Sequence, residues 1–247
     1  MKNAALPLQS LKDFLKTYTL LSGGTIDYEE KLFICYRNPS TLFSRYILTS
    51  VDSILLKQVL DLITNAPVGS LPVFVTYDEA FMPADTKKEF EKRGFEIYII
   101  QQGMVMDLSK AEEPSKNPHV ILADQENIDQ WSEALFEGFC SEKPYEPFVY
   151  QTLIGTPEMD FYGYNDNDFL GTTILFKDNN NAGIHDVAVS PAHRQKGISK
   201  ALLLQALYDM KKAGGTFISL QASPLGEFLY RSVGFENTSK IYTWKRP

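Results

Sequence analysis

The sequence predicts an α+β fold: a mixed, mostly antiparallel sheet flanked by helices, passing through a strand–helix–strand unit, with two related domains in tandem. Three observations carry this expectation. Residues 159–189 hold successive strand-like runs, the last two separated by the turn Asn179-Asn180-Asn181. Residues 197–212 read as a helix that is apolar nearly all round (Ile198, Leu202, Leu203, Leu204, Leu207, Met210), set between strands at 183–189 and 217–221. Finally, Phe90-Glu-Lys-Arg-Gly94-Phe95-Glu96 aligns without a gap on Tyr230-Arg-Ser-Val-Gly234-Phe235-Glu236, which marks an internal repeat.

Taken in order, the N-terminal half offers a helix from Asp52 to Ile63, a strand from Val73 to Tyr77 and an alternating strand from Ile97 to Leu108. The run Ser109-Lys-Ala-Glu-Glu-Pro-Ser-Lys-Asn-Pro118 is polar, charged and broken by two prolines, hence a linker. It divides the chain into domains at residues 1–113 and 114–247. The second half opens with a strand at His119–Leu122. Asp124 then caps a helix whose apolar face is Ile128, Trp131, Leu135 and Phe139, and a looser helix follows around Pro147–Leu153. Strands at 159–164, 169–176 and 183–189 lead to the apolar helix. Lys211 and Lys212 suit that helix's negative end, and Gly214 can close it in a left-handed cap. Strands at 217–221 and 240–245 complete the half.

The chain has 247 residues, 44% hydrophobic and 22% charged, ordinary values for a chain with a real core. Its 24 basic and 31 acidic residues give a net charge of −7, which argues against nucleic acid as a partner, since phosphate neutralisation needs clustered Lys and Arg. No apolar run approaches the ~20 residues that cross a bilayer, and the N-terminus lacks a signal-peptide core. A cytoplasmic protein with no membrane partner is expected. The two cysteines, Cys35 and Cys140, and the three histidines show no metal-ligand spacing, so no metal is expected. Cys35, inside Leu32-Phe-Ile-Cys-Tyr36, reads as a small buried hydrophobe.

The chemistry concentrates between Asp186 and Glu236. Gly197, opening a helix, lets backbone N–H groups approach a diphosphate with no Cβ in the way, and the helix N-terminus adds unpaired donors and partial positive charge. Arg194 and Lys196 bring formal charge, and Lys200 is placed for a ribose phosphate. An Arg-x-x-Gly turn alone is more often a solvated surface turn. It is neither a nucleotide P-loop, lacking Gly-Lys-Ser/Thr, nor a dinucleotide fingerprint, which needs three glycines.

The succession around that turn closely resembles the GNAT superfamily of acyl-CoA-dependent N-acyltransferases, over roughly the last 130 residues. The family's phosphate loop, Arg/Gln-x-x-Gly-x-Gly/Ala, stands here as Arg194-Gln195-Lys196-Gly197-Ile198-Ser199, with serine in place of the usual Gly or Ala. The preceding Val-x-Val-x-Pro is Val187, Val189 and Pro191, and the later Tyr-x-x-x-Gly-Phe is Tyr230 with Gly234-Phe235. The resemblance implies a GNAT-like sheet and acetyl-CoA as co-substrate. It implies that Val187, Ala188 and Val189 pair with the pantetheine arm, their N–H groups serving as an oxyanion hole. Tyr230 then becomes the general acid for the departing thiolate. Strand packing is the bland reading of Val-Ala-Val, and most of the 13 tyrosines are packing residues.

For the base that deprotonates the amine, Asp186 and His185, both on the strand beside the thioester, and Glu137, on the first helix, stand as alternatives, with Asp186 joining Tyr230 in the catalytic set; strand pairing or substrate orientation is the plainer role of Asp186, and solvent exposure that of His185. Tyr145, Tyr150, Tyr162 and Tyr164 are candidates to line an acceptor pocket, with packing the plainer role. In the first half the chemistry is missing: Val51-Asp-Ser-Ile-Leu-Leu56 has no glycine and carries an aspartate, and Phe90 stands for Tyr230. That half is expected to be a degenerate relative with a structural or substrate-shaping role. The expected activity is transfer of an acetyl group to a primary amine of a small molecule or peptide, without an acyl-enzyme. The alternative is a non-catalytic acyl-CoA-binding or regulatory module.

Overall fold

A computed structural model describes residues 3–29, 33–37, 44–65, 72, 74–111, 116–139 and 148–246. The elements in chain order are α1 (Leu6–Leu21), β1 (Thr25–Glu29), β2 (Phe33–Arg37), β3 (Arg45–Leu48), α2 (Ser53–Asn65), β4 (Phe74–Asp78), α3 (Thr86–Lys92) and β5 (Glu96–Asp107). They continue with β6 (Val120–Leu122), α4 (Ile128–Phe139), α5 (Phe148–Leu153), β7 (Met159–Asp166), β8 (Asp168–Asp178), β9 (Asn181–Val189), α6 (Ile198–Lys212), β10 (Phe217–Ala222), α7 (Glu227–Ser232) and β11 (Glu236–Lys245). This is the mixed, mostly antiparallel α+β arrangement expected. No helix among the described residues is long and apolar enough to cross a membrane.

By packing, the chain forms two compact units that interleave in sequence. Unit 1 comprises Met1–Met104, Gln221–Glu227 and Asn237–Pro247, and unit 2 comprises Val105–Leu220 and Phe228–Glu236. The division at 113/114 read from the linker is therefore not the division by packing: β11 belongs with unit 1 and the end of β5 with unit 2. Residues 112–115, at the linker's centre, lie outside the described residues.

In unit 1, β1, β2 and β3 pair antiparallel, β3 and β4 run parallel across the α2 connection, and β4 pairs antiparallel with β11. Helix α1 was not anticipated, although Leu8, Leu11, Phe14, Leu15 and Tyr18, all buried, repeat at the three-and-four spacing of an amphipathic helix. Helix α2 buries Leu56, Val59, Leu60 and Ile63 against Cys35, Tyr46, Leu48, Val75, Tyr77, Phe90, Phe95, Tyr242 and Trp244. Phe90 is wholly buried and stacks on Trp244, centroids 4.9 Å apart at 26°. The start of α2 is closed by Asp52, whose Oδ1 accepts from the N–H groups of Ile54 (2.9 Å) and Leu55 (2.8 Å).

In unit 2, β6, β7, β8 and β9 pair antiparallel in order, and β9 runs parallel to β10 across α6. The Leu108 N–H donates to the Thr216 carbonyl at 2.9 Å, tying the residue after β5 into this unit. Side chains alternate across a strand, so Ala188 and Val189 face opposite sides of β9. Helix α4 lies on the Ala188 side and α6 on the Val189 side, where Ile198 also packs. The predicted face of α4 is partly right: Ile128, Trp131 and Leu135 are buried, but Phe139, the helix's last residue, is 46% exposed. Gly138 makes the close contact there instead, since an added Cβ would stand 2.6 Å from the Ala188 Cβ. Asp124 caps the approach to α4 as expected, accepting from Glu126 and Asn127. Gly214 closes α6 at φ +82°.

Candidate active site

The site builds from an irregularity in β9. Its ladder with β8 pairs Ile174 with His185 and then Thr172 with Ala188, so the single residue Thr173 faces both Asp186 and Val187. This is a β-bulge. Asp186 takes φ +52°, a left-handed backbone that aspartate tolerates better than most side chains. The parallel ladder with β10 ends at the pair Ile184–Leu220, five residues before β9 ends. From His185 to Val189, then, the strand keeps its β8 partner and leaves the β10 ladder.

Beyond β9 the chain makes a short 3₁₀ turn at Pro191–His193 and enters α6. Gln195 (φ +64°) and Gly197 (φ +81°) both adopt left-handed backbones. Gly197 is the N-cap residue, no side chain bonds to the first amides of α6, and a Cβ added at Gly197 would meet nothing within 4 Å. Arg194, Gln195, Lys196, Gly197 and Lys200 are exposed, and Ser199 is partly buried. The turn is thus an open, glycine-started helix N-terminus with basic residues around it, a form suited to phosphate.

Because β9 and β10 are parallel, the chain leaves both at one end of the sheet, the usual place for a ligand crevice. The turn before α6 follows β9 and α7 follows β10, so the topology brings Tyr230 to that same end. Tyr230 is 8% exposed, and burial pushes its hydroxyl up to about 12, so the phenol keeps its proton at neutral pH. Gly234 (φ +104°) closes α7: the Gly234 N–H donates to Arg231 at 3.0 Å and the Phe235 N–H to Tyr230 at 3.1 Å.

The three base candidates fare differently. His185 is fully buried and desolvation pulls its imidazole down to about 3, so it is neutral and poorly basic. Glu137, on the exposed side of α4, accepts a hydrogen bond from the Ser190 hydroxyl at 2.8 Å, with His193 Nδ1 a further 3.4 Å from that hydroxyl. Its carboxylate thus braces the start of the turn. Asp186, partly buried at the bulge, lies 3.5 Å from the hydroxyl of Tyr150 on α5.

The sequence profile of the acetyltransferase (GNAT) family matches residues 125–235. This stretch is a GNAT acetyltransferase domain. Similar solved structures include a GCN5-related N-acetyltransferase from Kribbella flavida, at TM-score 0.70 and 12% identity over 96% of this chain and 95% of its own. Another, from Sphaerobacter thermophilus, gives TM-score 0.62 and 14% identity over 96% of this chain and 86% of its own. A functionally unknown conserved protein from Staphylococcus epidermidis gives 0.64 and 13% over 91% and 94%. At such identities the likeness is one of fold, and it spans nearly the whole chain. A search of the curated proteins found no match. Family and fold together support an acyltransferase function that uses an acyl-CoA.

Within the GNAT domain the predicted residues separate by role. Val187 is partly buried while Ala188 and Val189 are buried, and all three lie in the stretch of β9 that has left β10. Arg194 does not present its guanidinium to solvent alone, for it donates to the carbonyls of Val189 (3.3 Å) and Gly138 (2.8 Å) and so pins the turn to β9 and α4. The Ile198 side chain is 4% exposed and packs by Gly171, so only its backbone can serve a ligand. Tyr162 is buried with its hydroxyl donating to Asp209 at 3.0 Å, and the Tyr164 ring stacks on His119. Tyr145 and Cys140 lie outside the described residues. Gly138, Ser190 and the bulge were missed by sequence reasoning. A glycine inside a helical pattern was the one available signal, since it costs helix stability and so marks a close approach. Among the described residues no group of three His, Cys, Asp or Glu could hold a metal ion.

Proposed function

We propose that the GNAT domain transfers an acetyl group from acetyl-CoA directly to a primary amine of a small molecule or peptide, both substrates being bound together. The observation that carries this reading is the end of β9, where the strand parts from β10 at Ile184, bulges at Asp186 and runs into an uncapped, glycine-opened helix. An extended arm bearing amides fits beside Val187–Val189 as the next strand, and a diphosphate fits the N–H groups from Gly197 onward.

In this reading Asp186 receives the amine's proton, since His185 is too weak a base and Glu137 braces Ser190. Backbone N–H groups of β9 face the carbonyl oxygen as charge develops there, a fixed donor that needs no reorganisation. Tyr230, held protonated, gives its proton to the departing sulfur. No acyl-enzyme is needed: Cys35 is buried in unit 1, where desolvation pushes its thiol up to about 11. A cytoplasmic location is part of this reading. The test is a screen of amines, amino acids and peptides with acetyl-CoA, read by free-thiol release. Acceptor-dependent release supports transfer, whereas CoA binding without release for any acceptor would establish a non-catalytic acyl-CoA-binding module.

A further inference from the structure

We propose that Thr172 and Thr173 of β8 are positioning residues for acyl transfer, clasping the bulge of β9 so that a fixed N–H meets the thioester carbonyl. The proposal rests on the acyl-transfer reading above and adds the part that holds its geometry. A bulge leaves its extra residue outside the regular ladder, so the ladder alone does not tie it to one place along the strand. The two threonines supply that tie. The Thr172 hydroxyl donates to the Asp186 carbonyl at 3.3 Å, and the Thr173 hydroxyl donates to the His185 carbonyl at 3.1 Å. These carbonyls belong to the two peptide groups that flank Asp186, the residue of β9 with a left-handed backbone. Holding both peptide groups fixes the backbone of that residue. Thr172 stands opposite Ala188 and so lies on the α4 side of the sheet, whereas Thr173, the next residue, points to the other face. The bulge is thus gripped from both faces.

Both threonines are wholly buried. Threonine is common in strands for its branched shape alone, a role in which valine serves as well. Here both hydroxyls are spent on one irregular residue of the neighbouring strand. The chemical consequence comes from the period of a strand, whose successive N–H groups turn alternately to its two sides. From Val187 to Val189 one side of β9 meets β8 and the other has left the β10 ladder. Moving the extra residue by one place would turn the intervening N–H from one side to the other, as a one-residue slip exchanges the faces of a strand. An oxyanion donor is effective only when it is aimed in advance at the atom where charge develops. The clasp therefore selects which N–H the carbonyl meets.

The test uses the full chain and acetyl-CoA carrying carbon-13 at the thioester carbonyl, read by difference infrared spectroscopy, which needs no acceptor. The double variant Thr172→Val with Thr173→Val removes both hydroxyls and keeps the branched shape, and Thr172→Ser with Thr173→Ser keeps both hydroxyls. In the wild type the bound carbonyl band should lie below that of free acetyl-CoA, because a donated hydrogen bond weakens the C=O bond. The valine variant should lose much of that displacement, while its Kd for CoA by calorimetry stays within about threefold of wild type, the diphosphate turn being untouched. The serine variant should keep the wild-type band. With an amine found to react, the valine variant should lose ~10–100-fold in kcat, short of the ~10²–10³-fold that removing such a donor costs, with the KM for acetyl-CoA unchanged. A folded valine variant with the wild-type band, or a serine variant that loses as much as the valine one, would overturn the proposal and leave acyl transfer standing. If the double valine variant does not fold, the two single valine variants decide, and a wild-type band in both overturns the proposal. A wild-type band unmoved by binding would remove the β9 donor and the proposal with it, whereas a wild type that binds no acetyl-CoA would overturn the proposed function.

Discussion

Helices α2 and α6 each connect two parallel strands, and their first residues differ in kind. In α2 the carboxylate of Asp52 accepts from the amides of Ile54 and Leu55, so the donors at that helix start are spent inside the protein. In α6 the same place is Gly197, with a left-handed backbone, no capping side chain and open space where a Cβ would be. A second pair repeats the contrast. Gly94 and Gly234 both close a short helix with positive φ, and the amides of Phe95 and Phe235 donate to residues 90 and 230 at 3.2 and 3.1 Å. Yet Phe90 is wholly buried in an aromatic stack while Tyr230 keeps a phenol at the edge of the core. One backbone plan can therefore either consume its polar groups to stabilise itself or hold them out for a ligand. We infer from these pairs that unit 1 is a degenerate relative of unit 2 with no acyl-CoA site of its own.

The sharpest test of the contrast is at the second pair. Tyr230→Phe, which installs the residue of unit 1, should lower kcat by ~10²–10⁴-fold while the Kd for acetyl-CoA stays near wild type, because the lost proton matters only as sulfur departs. Turnover near the wild-type rate, with chemistry rate-limiting, would make Tyr230 a packing residue. Next in size, Gly197→Asp places a carboxylate at the start of α6 as in α2. CoA affinity measured by calorimetry should fall by at least ~100-fold, since like charges in contact cost several kcal/mol. The circular dichroism spectrum should not change. The wild type should bind one CoA per chain, and a stoichiometry of two would break the comparison outright.

A smaller effect separates the units by pH. His185 in unit 2 has its folded value near 3 against an ordinary 6.5, so the unfolded chain binds the extra proton between those limits. Stability falls as pH drops through that window, by about 2 kcal/mol between pH 7 and pH 5. Urea melts at the two pH values should show this loss, and His185→Phe should abolish it. Smallest of all, Asp52→Ala removes the cap of α2 and should cost about 1 kcal/mol. The loss should appear in the fluorescence melt of Trp244, in unit 1, in a Trp131→Phe background, with no change in the Kd for CoA.

Much of unit 2 was legible because its signals are local. The apolar helix between two strands, the asparagine turn at 179–181 and the glycine cap at Gly214 each depend on a few adjacent residues, and they fold where expected. The bulge was not legible: Asp186-Val-Ala-Val reads as an ordinary buried strand, and only the ladder partners on β8 reveal the extra residue. The engagement of Arg194 with Gly138, 56 positions away, is likewise non-local. Helix α1 is another matter. Its apolar residues Leu8, Leu11, Phe14, Leu15 and Tyr18 recur at three-and-four spacing, a local signal of the same kind as that of α4.

The interleaving of the units has a consequence for how this chain can be cut, lost or inherited. A gene fragment encoding 114–247 would hold every residue of the proposed chemistry, yet β11 would lack β4, and Leu108, which bonds to Thr216, would be gone. Tyr230 and β11 lie on one continuous thread, since Glu236 directly follows Phe235. Recombination at the linker would part β11 from β4 and Leu108 from Thr216, so each fragment would carry a broken unit.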